Sequence, residues 1–322
     1  MSALPTPITT VLGGAIAPAV LDRAREFSDA AKAPATRRAY RSDMRDFQAF
    51  CARHAAKCLP ADPQTVALYA THLTDRAKLA TIRRRMAAIS QAHLEHGLES
   101  PTRHPMVRRI LQGIARTIGA AQVKKDALTL DALRRALLSV WGESLKAKRD
   151  RAILLLGFAG ALRRSEIAAL DAADLAFTKR GLLVNIRRSK TDQTGEGQEI
   201  AIPLVADHSV CAVTAMREWL KAAEIKEGPV FRSFSLRREL TTSRIDGQDI
   251  ANLVKRVASD ARLDGDFSAH SLRAGFVTSA AEAGVTLENI SRTTRHKSLA
   301  VLAGYIRHVD LFEDSALSAI VR

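Results

Sequence analysis

The stretch GALRRSEIAAL, residues 160–170, places an arginine and a glutamate three positions apart in an amphipathic helical pattern. Arg163 and Glu166 would share one side of that helix, with Ile167 and Leu170 on the packing side. Such a pair is most often a surface ion pair of small energy. The alternative is that Glu166 orients a buried Arg163, whose guanidinium binds a phosphate through two donors. Segments further along the chain bear on that choice.

Two of these segments carry further cationic side chains. IRRSKTDQ, residues 186–193, puts Lys190 at the tip of a predicted hairpin, either as a solvated turn residue or as a proton donor that reaches into a cleft. HSLRAGF, residues 270–276, puts His270 and Arg273 one helical turn apart on the same face. They form either a chance pair or two donors to one phosphate.

LAVLAGYIRHV, residues 299–309, contains one of only three tyrosines in the chain. Tyr305 lies nine residues after His296, and Arg307 and His308 follow it. Considered alone, Tyr305 fits a core residue whose hydroxyl group is satisfied.

Considered together, these residues match the needs of phosphodiester cleavage. Two arginines can neutralise the non-bridging oxygens as negative charge grows in the transition state. A phenol can attack and store the phosphate energy as an ester, although its pKa near 10 requires help from a base or a cationic field. A general acid can protonate the departing oxygen.

The ordered set resembles the tyrosine recombinases of the phage integrase family, in a compact form. GALRRSEI resembles the first arginine box of that family, HSLRAGF its His-x-x-Arg box, and RHKSLAVLAGYIRHV its His…Tyr box. The resemblance covers roughly residues 20 to 320.

The resemblance implies a role for each residue. Tyr305 would attack the scissile phosphate, giving a 3′-phosphotyrosyl link and a 5′-hydroxyl. Arg163 and Arg273 would bind the non-bridging oxygens, and Lys190 would protonate the leaving oxygen. His270 would assist proton transfer, His296 would hydrogen-bond the phosphate, and Glu166 would support Arg163. No metal or other cofactor is implied.

Three positions depart from the family pattern. Arg295 stands where many relatives have glycine before the histidine, which can alter that turn. Ala161 replaces a common glycine, a milder change. Arg164 adjoins Arg163 and could bind the phosphate instead, but the Arg-x-Ser-Glu spacing favours Arg163.

Composition points to a polyanionic partner. The chain of 322 residues has a formal net charge of +15, and the basic excess is distributed over both halves. The three cysteines show no paired spacing, so we expect a reducing compartment. We expect no transmembrane helix, no signal peptide and a cytoplasmic, nucleoid-associated protein.

The pattern predicts a mainly α protein with a small antiparallel sheet (α+β). We expect a flexible tail over 1–18, a helical core-DNA-binding domain over 19–117, a basic linker over 118–128 and a catalytic domain over 129–322. LLVNIRRSK and EIAIPL predict two paired strands, and PVF a third short one. The resemblance implies that the two domains form a clamp around DNA.

We expect several basic and polar residues to contact DNA, because they fall away from the apolar stripes. These candidates are Arg37, Arg38, Arg41, Arg83, Arg84, Arg85, Lys124, Lys125, Arg244 and Gln248, with Lys255 a weaker one. The resemblance further implies short inverted-repeat core sites in double-stranded DNA, and a homo-tetramer on two sites that is built through an apolar C-terminal helix.

Two other functions share the pattern, a type IB topoisomerase and a non-catalytic DNA-binding relative. The docking tail argues against the first, and the intact set of active residues against the second. A metal site at His93 and His96 lacks partners at ligand spacing.

Overall fold

The structure, a computed structural model, describes residues 18–119, 125–187, 197–295 and Leu302. The chain divides into two compact units, Met1–Val123 and Lys124–Arg322. Helices predominate and the strands form small antiparallel sheets, which confirms the predicted fold class. In the described part of the chain, no helix is both long and apolar enough to cross a bilayer.

The first unit is helical throughout its described residues. Its helices are α1 Pro18–Ala30, α2 Pro34–Arg53, α3 Pro63–His72, α4 Leu79–Glu95 and α5 Pro105–Ile118. Four of them begin with a proline, which lacks the amide hydrogen that the first turn leaves unpaired. The Asp62 carboxylate accepts the Gln64 amide at 2.7 Å and so caps the N-terminus of α3.

The apolar face of α2 packs into the core of the first unit, most completely at its C-terminal end. Phe47 and Phe50 are buried, and both rings lie about 5 Å from the Tyr69 ring of α3. Tyr40 and Met44 are only partly buried. These aromatic side chains form part of the apolar core of the unit, and their burial stabilises it.

The second unit alternates helices with short strands. Its elements are α6 Leu130–Leu137, α7 Leu145–Ala159, α8 Arg164–Ala169, β1 Leu175–Phe177, β2 Gly181–Ile186, β3 Gln198–Pro203, α9 Ala212–Ala222, β4 Arg232–Phe234, β5 Leu240–Arg244, α10 Gly247–Asp260, α11 Ala269–Glu282 and α12 Leu287–Thr294. One large apolar core packs these elements together.

The strands form two antiparallel sheets. The first has the order β1-β2-β3, with Gly181 opposite Pro203 and Ile186 opposite Gln198. Its two longer strands fall where LLVNIRRSK and EIAIPL predict them. The second sheet pairs β4 with β5 and was not predicted. The expected strand at PVF, residues 229–231, is not found there. The strand β4 starts at Arg232, immediately after that run.

Part of the predicted linker belongs to the second unit. Leu128 is fully buried, and its amide donates to the Ser271 carbonyl at 2.9 Å. Gly275 makes this contact possible, because a Cβ atom at that position would lie 1.8 Å from the Leu128 carbonyl oxygen. The segment just before α6 therefore packs directly on the backbone of α11.

Candidate functional site

Arg163 lies at the N-cap of α8, immediately before its first turn. The sequence placed it within the helix, and the reason for the difference is a Schellman turn that ends α7. In that turn the Leu162 amide donates to Gly157 and the Ala161 amide to Phe158. Ala161 occupies the left-handed position of this motif, with φ of 45°. The chain therefore reverses just before Arg163 and presents it at the end of α8.

Glu166 holds Arg163 through both its backbone and its side chain. Its carboxylate accepts the Arg163 amide at 3.0 Å and the Arg163 Nη1 at 2.7 Å. The Glu166 side chain is 1% exposed and that of Arg163 is 20% exposed. The ion pair is therefore not a solvated surface pair, and Glu166 orients Arg163 as the second interpretation of the sequence expects; phosphate binding by Arg163 stays a prediction.

Arg273, on α11, reaches the same place from the opposite side. It is 1% exposed, and its Nη1 donates to the Ala161 carbonyl at 2.6 Å. Its Nη2 donates to the Thr294 carbonyl at the end of α12. Arg273 therefore joins the turn before Arg163 to the residue before Arg295.

Arg295 is a third guanidinium at this site. It is the C-cap of α12 in the left-handed conformation, with φ of 57° and ψ of 41°. Its Nη2 donates to the Glu166 Oε2 at 2.9 Å. We define the arginine cluster as Arg163, Glu166, Arg273 and Arg295. The sequence marked Arg295 as a departure in turn geometry but did not predict that its side chain points inward.

Burial and charge act in opposite directions on the pKa values of the cluster. Burial raises the pKa of Glu166, but the nearby positive charge of Arg295 and the hydrogen bonds from Arg163 outweigh it, so the pKa is lowered overall. Burial lowers the pKa of Arg295, and the Glu166 carboxylate offsets part of that shift. Glu166 is therefore ionised at neutral pH.

The end of β2 lies beside this cluster. The end of β2 and Glu166 line one cavity of about 240 Å³. Arg187 pairs there with Asp171 at 2.5 Å and with Asp174 at 2.8 Å. Lys190 follows three residues later, outside the described residues.

The other predicted site residues are only partly described. His270 is exposed near the start of α11, whereas Arg273 one turn later is buried, so the two side chains differ in solvent access. His296, Tyr305 and the proposed C-terminal docking helix lie outside the described residues, as does Lys124.

The expectation of exposure for the arginines of the first unit is wrong for Arg85. Its side chain is 19% exposed, pairs with Asp46 and lies 3.1 Å from the Tyr69 hydroxyl. Arg84 donates twice to the buried Asp43, at 2.8 and 2.9 Å, but is half exposed. Among the other candidates, Arg37 is partly buried, and Arg38, Arg41 and Arg83 are exposed.

The candidates in the second unit also make internal contacts. Arg244 donates to the Ala168 and Leu170 carbonyls, each at 2.9 Å. Gln248 accepts from Arg164 at 3.2 Å, and Lys125 pairs with Asp266. Lys255 is exposed.

His93 is a satisfied core histidine. Its Nε2 accepts the Ala61 amide at 2.9 Å, so its Nδ1 carries the proton and donates to Ile89 at 2.8 Å. Within the described ranges, no group of three or more His, Cys, Asp and Glu side chains is arranged to hold a metal ion.

Comparisons with known proteins bear on the same regions. Residues 127–311 match the phage integrase family, and residues 27–93 match the phage integrase N-terminal SAM-like domain. The chain belongs to the phage integrase family. The match of residues 127–311 spans the arginine cluster and also the positions of Lys190, His296 and Tyr305.

Two relatives agree with that assignment. An integrase/recombinase XerD homolog of Selenomonas ruminantium is 37% identical over 92% of this chain and 88% of the relative. Recombinase Cre of Escherichia phage P1 is 26% identical over 87% of this chain and 85% of the relative.

Two solved structures share the phage integrase fold. The XerH site-specific recombinase, in a post-cleavage complex with palindromic difH, matches with a TM-score of 0.60 and 18% identity over 81% of this chain and 72% of that one. A lambda integrase dimer bound to a COC′ core site matches with a TM-score of 0.59 and 16% identity over 92% of this chain and 79% of that one.

Proposed function

We propose that this phage integrase family member is a site-specific DNA recombinase that cleaves and rejoins strands through a 3′-phosphotyrosyl intermediate. The observation that carries the proposal is the convergence of Arg163 and Arg273 on one turn. Glu166 holds the first through its carboxylate, and the Ala161 carbonyl holds the second. Two restrained guanidiniums suit a phosphate whose charge increases in the transition state.

The proposed reaction is reversible and needs no external energy. The Tyr305 oxygen passes its proton to His270 and forms a bond to the scissile phosphorus, the bond to the 5′-oxygen breaks, and Lys190 gives that oxygen a proton. Attack by a 5′-hydroxyl reverses these steps and releases the tyrosine. His270 assists the proton transfer, and His296 hydrogen-bonds the phosphate.

The proposed partner is double-stranded DNA with short inverted-repeat core sites. A net charge of +15 supports a polyanionic partner, and the similar XerH and lambda integrase structures contain DNA. We propose a homo-tetramer on two sites, in the cytoplasm and associated with the nucleoid. The candidate DNA contacts that are exposed, as such contacts require, are Arg38, Arg41, Arg83, Arg84, Arg244, Gln248 and Lys255.

Covalent trapping tests the proposal. The wild-type protein and Tyr305→Phe are incubated with a pool of nicked duplexes carrying inverted repeats and resolved on a denaturing gel. We expect a protease-sensitive adduct at a 3′-phosphate from the wild type alone, because the phenylalanine lacks the attacking oxygen.

Sequencing the trapped DNA supplies the site. An equal adduct from Tyr305→Phe would overturn the assignment of the nucleophile. Relaxation of plasmids that lack the recovered site, without strand exchange between plasmids that contain it, would favour a type IB topoisomerase activity instead.

A further inference from the structure

Arg295 combines three features that are unfavourable for stability. Its side chain is only 6% exposed, although it is charged. Its backbone is left-handed, where glycine is preferred over any other residue. Its Nε and Nη1 atoms are buried and have no hydrogen-bond partner within the described parts of the chain. Such features persist where function requires them.

The Glu166 carboxylate is shared between two guanidiniums. Its Oε1 accepts Arg163 Nη1 at 2.7 Å, whereas its Oε2 accepts Arg295 Nη2 at 2.9 Å. With Arg163 as its only partner, Glu166 would neutralise that guanidinium. Because Arg295 takes part of the negative charge, the pair of arginines keeps one positive charge that Glu166 does not balance.

The whole cluster then has a formal net charge of +2, from three guanidiniums and one carboxylate. A phosphodiester carries one negative charge in the ground state and gains a second as the nucleophile attacks. The cluster with Arg295 matches the charge of that transition state, whereas glycine at this position would leave a net charge of +1.

We propose that Arg295 is a positioning residue for DNA cleavage, which shares Glu166 with Arg163 and thereby increases the positive charge presented to the scissile phosphate. This inference rests on the proposed function. The backbone beside Arg295 adds to the effect, because the Thr294 carbonyl holds the other phosphate-binding residue, Arg273.

Single-turnover cleavage of the duplex recovered from the wild-type adduct tests this inference. Arg295→Met removes the charge but keeps a long, unbranched side chain and a residue other than glycine in the turn. Arg295→Lys restores the charge. Arg292→Met is the matched control, because Arg292 lies on the same helix in an exposed pair with Glu288. Each protein cleaves two duplexes, one with the ordinary scissile phosphate and one with a neutral methylphosphonate at that position.

We expect Arg295→Met to cleave the ordinary phosphate about 10- to 100-fold more slowly and the methylphosphonate within about threefold of wild type, because a neutral group needs less charge compensation. Binding of the duplex should be unchanged, Arg295→Lys should recover most of the rate, and Arg292→Met should match wild type.

Equal losses on both duplexes would overturn the inference and assign Arg295 to turn structure alone. Wild-type rates from Arg295→Met would also overturn it. Tyr305→Phe in parallel separates the two proposals, since an adduct from that variant would refute the proposed function whatever Arg295→Met does.

Discussion

Glu166 is a single buried carboxylate on which two arginines depend. The spacing in GALRRSEIAAL was sufficient to predict its partnership with Arg163. Its second partner, Arg295, could not be predicted from spacing, because 129 positions separate the two residues and the inward direction depends on a left-handed φ. The only signal in the sequence was an arginine at a position where relatives have glycine.

The same reasoning applies to Ala161. It also replaces a family glycine, and it also adopts a positive φ. The family pattern therefore marked both positions as replaced glycines, but it did not predict that either turn is left-handed. It could not indicate that Arg273 donates to both turns, to the Ala161 carbonyl in one and to the Thr294 carbonyl in the other.

We predict that Glu166→Gln makes the second unit less stable and less sensitive to acid. The Glu166 pKa is lower in the folded state than its ordinary value of 4.5. The ionised Glu166 carboxylate therefore contributes fully to the free energy of unfolding above pH 4.5. This contribution is lost as pH falls through the pKa of Glu166 in the folded state. At pH 7 we expect a loss of about 3 kcal/mol in the free energy of unfolding, since Arg295 loses its counter-charge.

Urea unfolding followed by tryptophan fluorescence measures this effect. Both tryptophans, Trp141 and Trp219, lie in the second unit, so the signal reports that unit alone. Glu288→Gln, on an exposed ion pair, is the control. Stability curves of wild type and Glu166→Gln that stay parallel from pH 7 to about 3.5 would contradict the prediction.

At the scale of elements, the helices and the β2–β3 hairpin could be predicted because their apolar residues follow clear periods. The β4–β5 hairpin could not, because Arg232–Arg244 is rich in charge and its strands alternate only weakly. The strand was predicted at PVF because that run is apolar, and its Phe231 is indeed fully buried in the core. Its carbonyl pairs with the Ile245 amide at 2.9 Å, just beyond β5.

We predict that Gly275→Ala displaces α11 and lowers stability. The added methyl group would meet the Leu128 carbonyl at 1.8 Å, so the helix that carries His270 and Arg273 must shift. We expect the free energy of unfolding to fall by about 2–3 kcal/mol and the cleavage rate to fall with it. Urea unfolding followed by far-ultraviolet circular dichroism, which reports the helices of both units, and single-turnover cleavage measure the two effects.

Gly113→Ala is the control for this prediction. Gly113 also lies within a helix, but a Cβ atom there would meet no other atom within 4 Å. That substitution should raise stability by about 0.5–1 kcal/mol, because alanine favours the helix. A similar loss from both variants would show that contact with Leu128 is not the cause.

At the scale of the whole molecule, charge rather than fold predicts the partner. We expect binding of the recovered duplex to weaken by a factor on the order of 1,000 or more between 50 and 200 mM salt, as released counterions return to the DNA. Arg83→Met should reduce the slope of log affinity against log salt by about 1. Arg85→Met should leave that slope unchanged, because its guanidinium already pairs with Asp46.

Fluorescence anisotropy of labelled duplex at several salt concentrations measures these slopes. Urea unfolding followed by far-ultraviolet circular dichroism, which also reports the helices of the first unit, supplies the complementary result, in which Arg85→Met is the less stable variant. A slope that changes more for Arg85→Met than for Arg83→Met would place the DNA on a different face of the first unit.

The left-handed Arg295 also sets a conflict between two kinds of selection. In a library randomised at position 295, sorting for survival of heat would enrich glycine, which fits the turn and buries no charge. Sorting the same library for strand exchange would enrich arginine. If Arg295 speeds DNA cleavage as inferred, proteins that keep arginine here should have a lower melting temperature than proteins with glycine. Stabilising substitutions should then accumulate elsewhere in the second unit.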